Sequence, residues 1–467
     1  MATGKGPTDF NDLGNAGGLQ AVAEALNAPP ITAYEEDADQ ENATQTPDAR
    51  SEPRGMGWEA NLREVKPGTI DPCVYNTHLI LTNDEEWAGV LGYCDFSYRI
   101  IKRSMPPWKN GTLGEWTDAD TARLRLWFST KYRYTPRSAD ADEQIMVVAQ
   151  NNNFHPVRDY LNSLTWDKKP RLRSWLKTYL GVESAAEDNK ERDRYEQYQS
   201  LVGVMWMIAA VARVMRPPVK ADCVMIIEGL QGLGKSTALS ILGGEWFSDT
   251  HFALGEKDGY QQMQGLWICE LAELDSFNKA ESTRAKQFFG SSEDRYRPAY
   301  GRRTQAFARQ CVFAGTTNQD AYLKDPTGNR RYWPVFCTRL DAEGLARDRD
   351  QLWAEAYQLF KLGEPWWVPE HFKHLFEEQQ ESRFCADAWE EFILEYVRDP
   401  TKYQEGYTTG DLLVGALNFE ASKIRQPEQT RVGQIMTRLG WKRVRMSVGT
   451  GSSAHRPRWY VRPDGWK

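Results

Sequence analysis

The chain has 467 residues, enough for about two to four domains. Its formal net charge of −7 excludes a protein that is coated everywhere in base, although it is compatible with local basic surfaces. The seven cysteines form no C-x-x-C pair, which gives no sign of a zinc site and predicts reduced, buried thiols in a cytoplasmic protein. We find no pattern of a signal peptide and expect no membrane-spanning segment.

Residues 1–55 are rich in Ala, Asn, Asp, Glu and Gly, and they include an acidic patch at 35–41. Such a segment buries too little apolar surface to offset its chain entropy, so we expect a disordered acidic tail.

Residues 56–216 have a globular composition, and their apolar spacing predicts a mainly helical accessory domain. One helix is expected to begin at Thr117, and another, over 195–214, is apolar on most faces and therefore buried. His155 stands beside Pro156, away from any other metal-ligating residue in a motif, which favours a capping or packing role over a metal or acid–base role.

Residues 229–237 match the P-loop pattern G-x-x-x-x-G-K-[ST] without a mismatch. An apolar run of strand length precedes them and a helical pattern follows, which is the context that this motif requires. Backbone N–H groups at a helix N-terminus bind phosphate, while the lysine would reach the β- and γ-phosphates and the serine would ligate Mg²⁺. The residues predicted to bind nucleotide are Gly229, Gly232, Gly234, Lys235, Ser236 and Thr237.

A second apolar strand is predicted over 265–270, and it ends in Glu270 with Glu273 close behind. Acids at the carboxyl end of a parallel strand face the same crevice as the phosphates. We therefore expect Glu270 to hold Mg²⁺ together with Ser236, and Glu273 to orient the attacking water. The sequence leaves open which acid has which role.

Between the second and third strands lies an arginine-rich segment that can form a β-hairpin, with a turn at Tyr300 and Gly301. Arginine pairs with phosphate and tyrosine can stack on a base, so this hairpin is a candidate grip on single-stranded DNA. We expect Arg309 on an arm of the same hairpin. A solvated basic hairpin is the alternative. The candidate DNA contacts are Arg295, Arg297, Tyr300, Arg302 and Arg303.

The third strand, over 310–315, leads to Asn318, whose amide could sense the γ-phosphate. Further on, a glycine turn carries Arg330 and Arg331, which could bind an acidic surface. Either could equally act as an arginine finger on the nucleotide of a neighbouring subunit. Adjacent residues of an extended segment point to opposite sides, so we expect one finger and not two. The motor is expected to span residues 217–384.

Residues 385–467 are predicted to form a small domain of three helices followed by a β-wing over 441–461. From residue 421 onward, eleven bases oppose two acids. This asymmetry in an acidic protein predicts a winged-helix-like domain on the DNA backbone, with a protein-binding winged helix as the alternative.

The stretches GLQGLGKST, WICELAEL, DRYRPAYGRR, CVFAGTTN and DPTGNRRYWPV together resemble the virulence-associated E (VapE) family of phage and mobile-element proteins. That family resembles the superfamily-three helicases within the AAA+ ATPases. The resemblance implies an α/β P-loop motor with a parallel sheet. We expect this motor to be flanked by the N-terminal helical domain and the winged-helix-like domain.

The function implied is an ATP- and Mg²⁺-dependent DNA helicase that works as a homo-oligomeric ring, a hexamer, on single-stranded or forked DNA in the bacterial host cytoplasm. A primase or another replication protein is an open choice for a further partner, and no membrane is expected. Two alternatives remain open: a nucleic-acid-stimulated ATPase without unwinding, as in packaging or defence, and an origin-binding protein that ATP switches.

Overall fold

The computed structural model describes residues 57–250, 256–272, 285, 287–298, 303–323, 329–385, 387–399, 401, 406–445 and 458–462. The acidic tail predicted for residues 1–55 lies outside this range. So do Glu273, Tyr300 and Arg302.

The first region, up to Phe154, is a mixed α/β unit, which differs from the mainly helical domain that we predicted. Its strands and α-helices, in chain order, are β1 (Glu64–Lys66), β2 (Thr69–Ile70), α1 (Val74–Asn83), β3 (Leu91–Cys94), β4 (Arg99–Lys102), β5 (Gly114–Glu115), α2 (Asp118–Lys131), α3 (Ser138–Asn151) and β6 (Asn153–Phe154). Four of the strands form one sheet in the order β5-β4-β3-β6. As predicted, Thr117 caps α2: its side chain accepts a hydrogen bond from the Asp120 N–H.

The middle region is built on a parallel sheet. Its elements are α4 (Pro156–Ser163), α5 (Trp175–Leu180), α6 (Asn189–Met215), β7 (Val224–Glu228), α7 (Lys235–Gly243), β8 (Phe247–Ser248), α8 (Lys257–Gln262), β9 (Ile268–Ala272), β10 (Glu293–Tyr296), β11 (Gln305–Ala308), β12 (Val312–Thr317), β13 (Tyr332–Phe336), α9 (Ala342–Lys361) and α10 (Lys373–Ser382). The strand order is β13-β7-β12-β9-β8, and every pairing is parallel. Strand β7 therefore lies inside the sheet, between β13 and β12.

Helix α6 belongs to the core of this sheet and not to a separate accessory domain. The indole N–H of Trp206 donates to the Phe313 carbonyl at 2.9 Å, and the Tyr198 hydroxyl donates to the Pro334 carbonyl at 2.9 Å. One continuous hydrophobic cluster joins α4, α6, α9 and the sheet. The predicted boundary at residues 216 and 217 thus falls within a single core.

By length and hydropathy alone α6 could cross a membrane, which differs from the expectation that no apolar run is long enough. However, 83% of its most apolar 18-residue stretch is buried inside the protein. A helix that is apolar on all sides is expected in the interior of a large core as well as in a membrane. The burial agrees with the sequence prediction of a core helix.

The last region has a hydrophobic core of its own. It consists of α11 (Ala388–Arg398), α12 (Thr409–Gly415), α13 (Gln426–Arg438), β14 (Lys442–Arg445) and β15 (Arg458–Val461). Strands β14 and β15 pair antiparallel, as expected for the predicted wing.

Candidate nucleotide site and DNA-facing hairpin

The phosphate-binding motif lies between β7 and α7, in a loop that glycine makes geometrically possible. Gly229 and Gly234 have φ angles of 140° and 83°, which L-amino acids with side chains rarely adopt. A Cβ on Gly229 would lie 2.4 Å from the Cys337 carbonyl oxygen, and one on Gly234 would lie 2.7 Å from Leu340. Larger residues at either position would therefore force the loop to open.

Lys235 lies at the centre of this loop and is 8% exposed. Its Nζ donates to the carbonyl oxygens of Gly229 and Leu230 at 2.8 and 2.9 Å, and to Oδ1 of Asn318 at 2.7 Å. Burial lowers the pKa of Lys235. The structure thus brings together the predicted phosphate-binding lysine and the predicted γ-phosphate sensor.

Glu270 ends up beside Ser236, as the sequence suggested. The hydroxyls of Ser236 and Thr316 donate to Oε1 of Glu270 at 2.7 and 2.6 Å. Strand register explains the contact: β12 pairs with β7 on one side and β9 on the other, so the carboxyl ends of all three strands meet at one edge of the sheet. We call this edge, with its loops, the carboxyl edge. Thr316 is a member that sequence analysis missed, although it precedes the predicted Asn318 by only two residues.

The second carboxylate oxygen of Glu270 is buried and has no hydrogen-bond partner among the described residues. Glu270 as a whole is 2% exposed. An unpaired buried carboxylate oxygen is costly unless it meets a cation or a donor. Mg²⁺ prefers oxygen ligands and is often held by one or two carboxylates plus substrate phosphates, so Glu270 and Ser236 fit this ion.

A buried ion pair lies directly before the predicted phosphate-binding loop, and the sequence did not predict it. Glu228, the last residue of β7, is 3% exposed and accepts three hydrogen bonds from Arg383: Nε to Oε1 at 2.9 Å, Nε to Oε2 at 3.2 Å and Nη2 to Oε2 at 2.8 Å. The Tyr322 hydroxyl donates to Oε1 at 2.8 Å. Although burial lowers the pKa of Arg383, its bonds to Glu228 raise that pKa above its ordinary value. An acid at the end of a buried strand is expected to have a hydrogen-bonding or cationic partner. However, no sequence pattern identifies a partner 155 positions away.

Strands β10 and β11 form the two antiparallel arms of the predicted hairpin, with Asp294 opposite Phe307 and Arg295 opposite Ala306. Arg295, Arg297 and Arg303 are exposed. These three predicted DNA contacts therefore face solvent.

Arg309 differs from its predicted place on a DNA-facing arm. It is 2% exposed, its Nε donates to Oδ2 of Asp294 at 3.1 Å, and its guanidinium stacks on Phe288 at 4.3 Å. Because side chains alternate along a strand, Asp294 faces inward when Arg295 faces outward. The buried carboxylate of Asp294 then pairs with Arg309. Arg309 is therefore a core residue.

The base of the hairpin rests on the first region. The Tyr98 hydroxyl donates to the Ala308 carbonyl at 3.0 Å, and the Tyr98 and Phe307 rings meet edge to face at 5.0 Å.

His155 caps α4 as predicted: its Nδ1 accepts from the Arg158 N–H at 3.2 Å. Its Nε2 is then the protonated nitrogen and donates to Oε1 of Gln310 at 2.7 Å.

The two candidate arginine fingers lie away from the phosphate-binding loop of their own chain. They precede β13, whose first residue pairs with Val224 and whose last pairs with Glu228. The first and last residues of this five-residue strand are about 13 Å apart. Arg330 is exposed, whereas Arg331 is 18% exposed, with its Nε 3.4 Å from Asp222.

Residues 161–384 match the family model of the virulence-associated protein E-like domain. Among solved structures, the chain is similar to the apo structure of the NrS-1 C-terminal region (305–718), with 12% identity and a TM-score of 0.42, over 79% of this chain and 95% of that one. An A-form apo structure of the same NrS-1 region gives 11% identity and a TM-score of 0.39, over 84% of this chain and 100% of that one. No curated protein matches the chain.

Proposed function

We propose, from the premise that this chain carries a virulence-associated protein E-like domain at residues 161–384, that it is an ATP- and Mg²⁺-dependent DNA helicase. It would act as a ring, a hexamer, on single-stranded or forked DNA during the replication of a phage or mobile element. The proposal concerns the carboxyl edge, the hairpin and the exposed Arg330.

One observation carries the proposal: the buried, unpaired carboxylate oxygen of Glu270 beside the Ser236 hydroxyl, at the mouth of a glycine loop centred on Lys235. This set of donors combines cationic and backbone groups for phosphate with oxygen ligands for Mg²⁺. Such a combination suits a nucleoside triphosphate better than a singly charged or apolar ligand.

In this proposal each residue of the carboxyl edge has one task. Lys235 and the backbone N–H groups bind the β- and γ-phosphates, and Ser236 with Glu270 holds the metal, which neutralises phosphate charge when bound. Asn318 would donate from its Nδ2 to the γ-phosphate. The water is oriented by Glu270 or by Glu273, the latter outside the described residues.

The ring follows from the position of the candidate fingers. The candidate fingers precede β13 at the strand end that lies about 13 Å from the carboxyl edge, whereas in a head-to-tail assembly one of them can reach the loop of the adjoining copy. Arg330 is exposed and Arg331 is held near Asp222, which favours Arg330 as the finger. The hairpin arginines Arg295, Arg297 and Arg303 would then contact the DNA that passes through the ring.

A strand-displacement assay on a forked duplex tests the proposal, together with ATP hydrolysis with and without DNA and the mass of the assembly in ATP. We expect the wild-type chain to unwind the duplex, to show DNA-stimulated hydrolysis and to form an oligomer. Lys235→Ala should lose unwinding and hydrolysis and retain only the assembly that does not depend on ATP. DNA-stimulated hydrolysis without unwinding would instead identify a non-unwinding ATPase, and DNA binding with slow hydrolysis would identify an ATP-switched origin binder. A strictly monomeric protein without turnover in the presence of both ligands would overturn the proposal.

A further inference from the structure

In the last region, the arginines of α13 are engaged inside the protein. Arg431 forms a two-pronged ion pair with Asp387, Nη2 to Oδ1 at 2.7 Å and Nε to Oδ2 at 2.8 Å, and stacks on Trp389 at 3.8 Å. Arg438 donates to Glu390 at 2.8 Å and to Glu381 at 2.9 Å. These contacts tie α13 to α11 and to α10, so the charge of both bases is already balanced by carboxylates.

The most exposed residues of α13 are uncharged. Its exposed positions are Gln426, Pro427, Thr430 and Thr437. A helix that reads DNA in the major groove needs side chains that hydrogen-bond to bases, and phosphate-binding residues around them. Without exposed bases of its own, α13 would have weak electrostatic attraction for DNA.

The wing formed by β14 and β15 shows the opposite arrangement. Arg443, Arg445 and Arg458 are all exposed. Arg445 lies directly opposite Arg458, and Arg443 lies opposite Tyr460. Directly opposed residues of an antiparallel pair project from the same face, so the three arginines share one side of the wing with Tyr460. We call this side the wing face; Tyr460 packs into the core, whereas the three arginines are exposed.

Two like charges in directly opposed positions destabilise a β-hairpin. In the described part of the chain, none of the three arginines makes an ion pair with a carboxylate, whereas Arg431 and Arg438 both do. The chain therefore keeps a repulsive pair on the wing face and neutralises the arginines of the neighbouring helix. An anionic ligand on the wing face would remove this repulsion.

We propose that the wing face binds the phosphate backbone of DNA, without sequence preference, through Arg443, Arg445 and Arg458. This inference rests on the proposed helicase function, and it locates the DNA contact of the C-terminal region on the wing and not on α13. Arginine suits the task because its planar guanidinium can bind two phosphate oxygens at once.

The composition of the wing face favours backbone contact over base recognition. Tyr460, the aromatic residue opposite Arg443, is 2% exposed and packs into the core, so it cannot serve as a stacking platform for bases. In a chain of net charge −7, a concentrated basic face also directs the approach of a polyanion to one place.

The test is the affinity of the full-length chain for a labelled duplex of arbitrary sequence, measured by fluorescence anisotropy over a series of salt concentrations. Each phosphate contact contributes about 0.9 to the slope of log K against log salt, so Arg445→Ala/Arg458→Ala should lower the slope by about 2. The affinity near 100 mM salt should fall roughly ten- to a hundredfold. Arg445→Lys/Arg458→Lys should retain most of the slope.

Lys66→Ala/Arg123→Ala is the matched control, because it removes two exposed bases from the first region with the same change in net charge. ATP hydrolysis without DNA should be unchanged in all variants, and the thermal unfolding temperature should not fall in any of them. An unaltered salt slope in the Arg445→Ala/Arg458→Ala variant would overturn the inference while leaving the helicase proposal standing. A wild-type chain that binds no DNA would overturn the helicase proposal itself.

A second duplex of unrelated sequence completes the experiment. Equal affinity for both duplexes, unchanged by Gln426→Ala/Thr430→Ala on α13, is the expected result. A sequence preference that disappears in that variant would show that α13 reads bases, which contradicts the inference.

Discussion

The carboxyl edge and the wing face both concentrate charge, but in different surroundings. At the carboxyl edge, Glu228, Lys235 and Glu270 are each less than a tenth exposed and lie within hydrogen-bonding distance of groups that hold them in place. On the wing face, Arg445 and Arg458 are exposed and oppose each other. The carboxyl edge has the rigidity that chemistry on a small ligand needs. The wing face has the exposed charge that suits a large and uniform polyanion.

The comparison also shows that counting bases in a sequence does not reveal which of them a ligand can reach. Arg309, Arg431 and Arg438 contributed to the two basic segments that suggested DNA binding, and all three have carboxylate partners within the fold. Other arginines of the same two segments, such as Arg295 and Arg443, are exposed. Single substitutions can distinguish the arginines that are paired within the fold from those that are exposed.

The largest effect is expected for Lys235→Ala. This change removes the ammonium at the centre of the loop and should lower ATP hydrolysis about a thousandfold, as does the loss of a donor that stabilises charge in a transition state. Steady-state phosphate release with saturating DNA measures it. Lys373→Ala, an exposed lysine in an ion pair on α10, is the control and should retain wild-type turnover. Comparable turnover in both variants would contradict the assignment of the nucleotide site.

Arg383→Ala tests the buried pair next to the loop. It would leave the Glu228 carboxylate buried without its cation, which costs about 3–5 kcal/mol in the free energy of unfolding. The corresponding control, Lys423→Ala, removes one member of an exposed pair with Glu420 and should change this energy by less than about 1 kcal/mol. Denaturant-induced unfolding of both variants compares them, and equal effects would mean that the buried pair has no special structural role.

Within the hairpin, Arg309→Ala and Arg295→Ala should have separable consequences. Arg309 is buried on Asp294, so its loss should cost about 3 kcal/mol of stability. Arg295 has a 75% exposed side chain, and its loss should change stability by less than about 0.5 kcal/mol while weakening the binding of single-stranded DNA. Thermal unfolding and anisotropy on the same samples distinguish the two outcomes. Weaker DNA binding by a folded Arg309→Ala variant would return Arg309 to the DNA-facing group.

Arg431→Ala brings the same distinction to the C-terminal region. The pair with Asp387 is partly exposed, so solvent screening limits the loss of stability to about 1 kcal/mol, including the contact with Trp389. The slope of DNA affinity against salt should not change. A decrease of that slope as large as in the wing variant would show that α13 and the wing share the DNA contact.

Sequence reasoning predicted the local features of this protein well. The glycine loop, the strand before it and the helix after it follow from residues that are neighbours in the chain, and so do the arms of the hairpin and the paired strands β14 and β15. The first region was harder, because β5 and β6 have two residues each and cannot display a strand's alternating pattern. Contacts between distant positions, such as Glu228 with Arg383, depend on the tertiary fold, which no local pattern encodes.

The smallest predicted effect concerns His155, which caps α4 and donates to Gln310 at the base of the hairpin. Burial lowers its pKa below the ordinary value of 6.5, with Gln310 and Asp95 acting in the opposite direction and Arg158 in the same one. Since the unfolded chain binds the proton more readily, the stability that this residue contributes is present above about pH 6.5 and is lost as the pH falls. His155→Asn keeps an oxygen to cap α4 and removes the titration. Between about pH 7.5 and pH 5.5, the unfolding temperature should therefore fall more in the wild type than in the variant. Parallel pH profiles would show that protonation of His155 is not linked to unfolding.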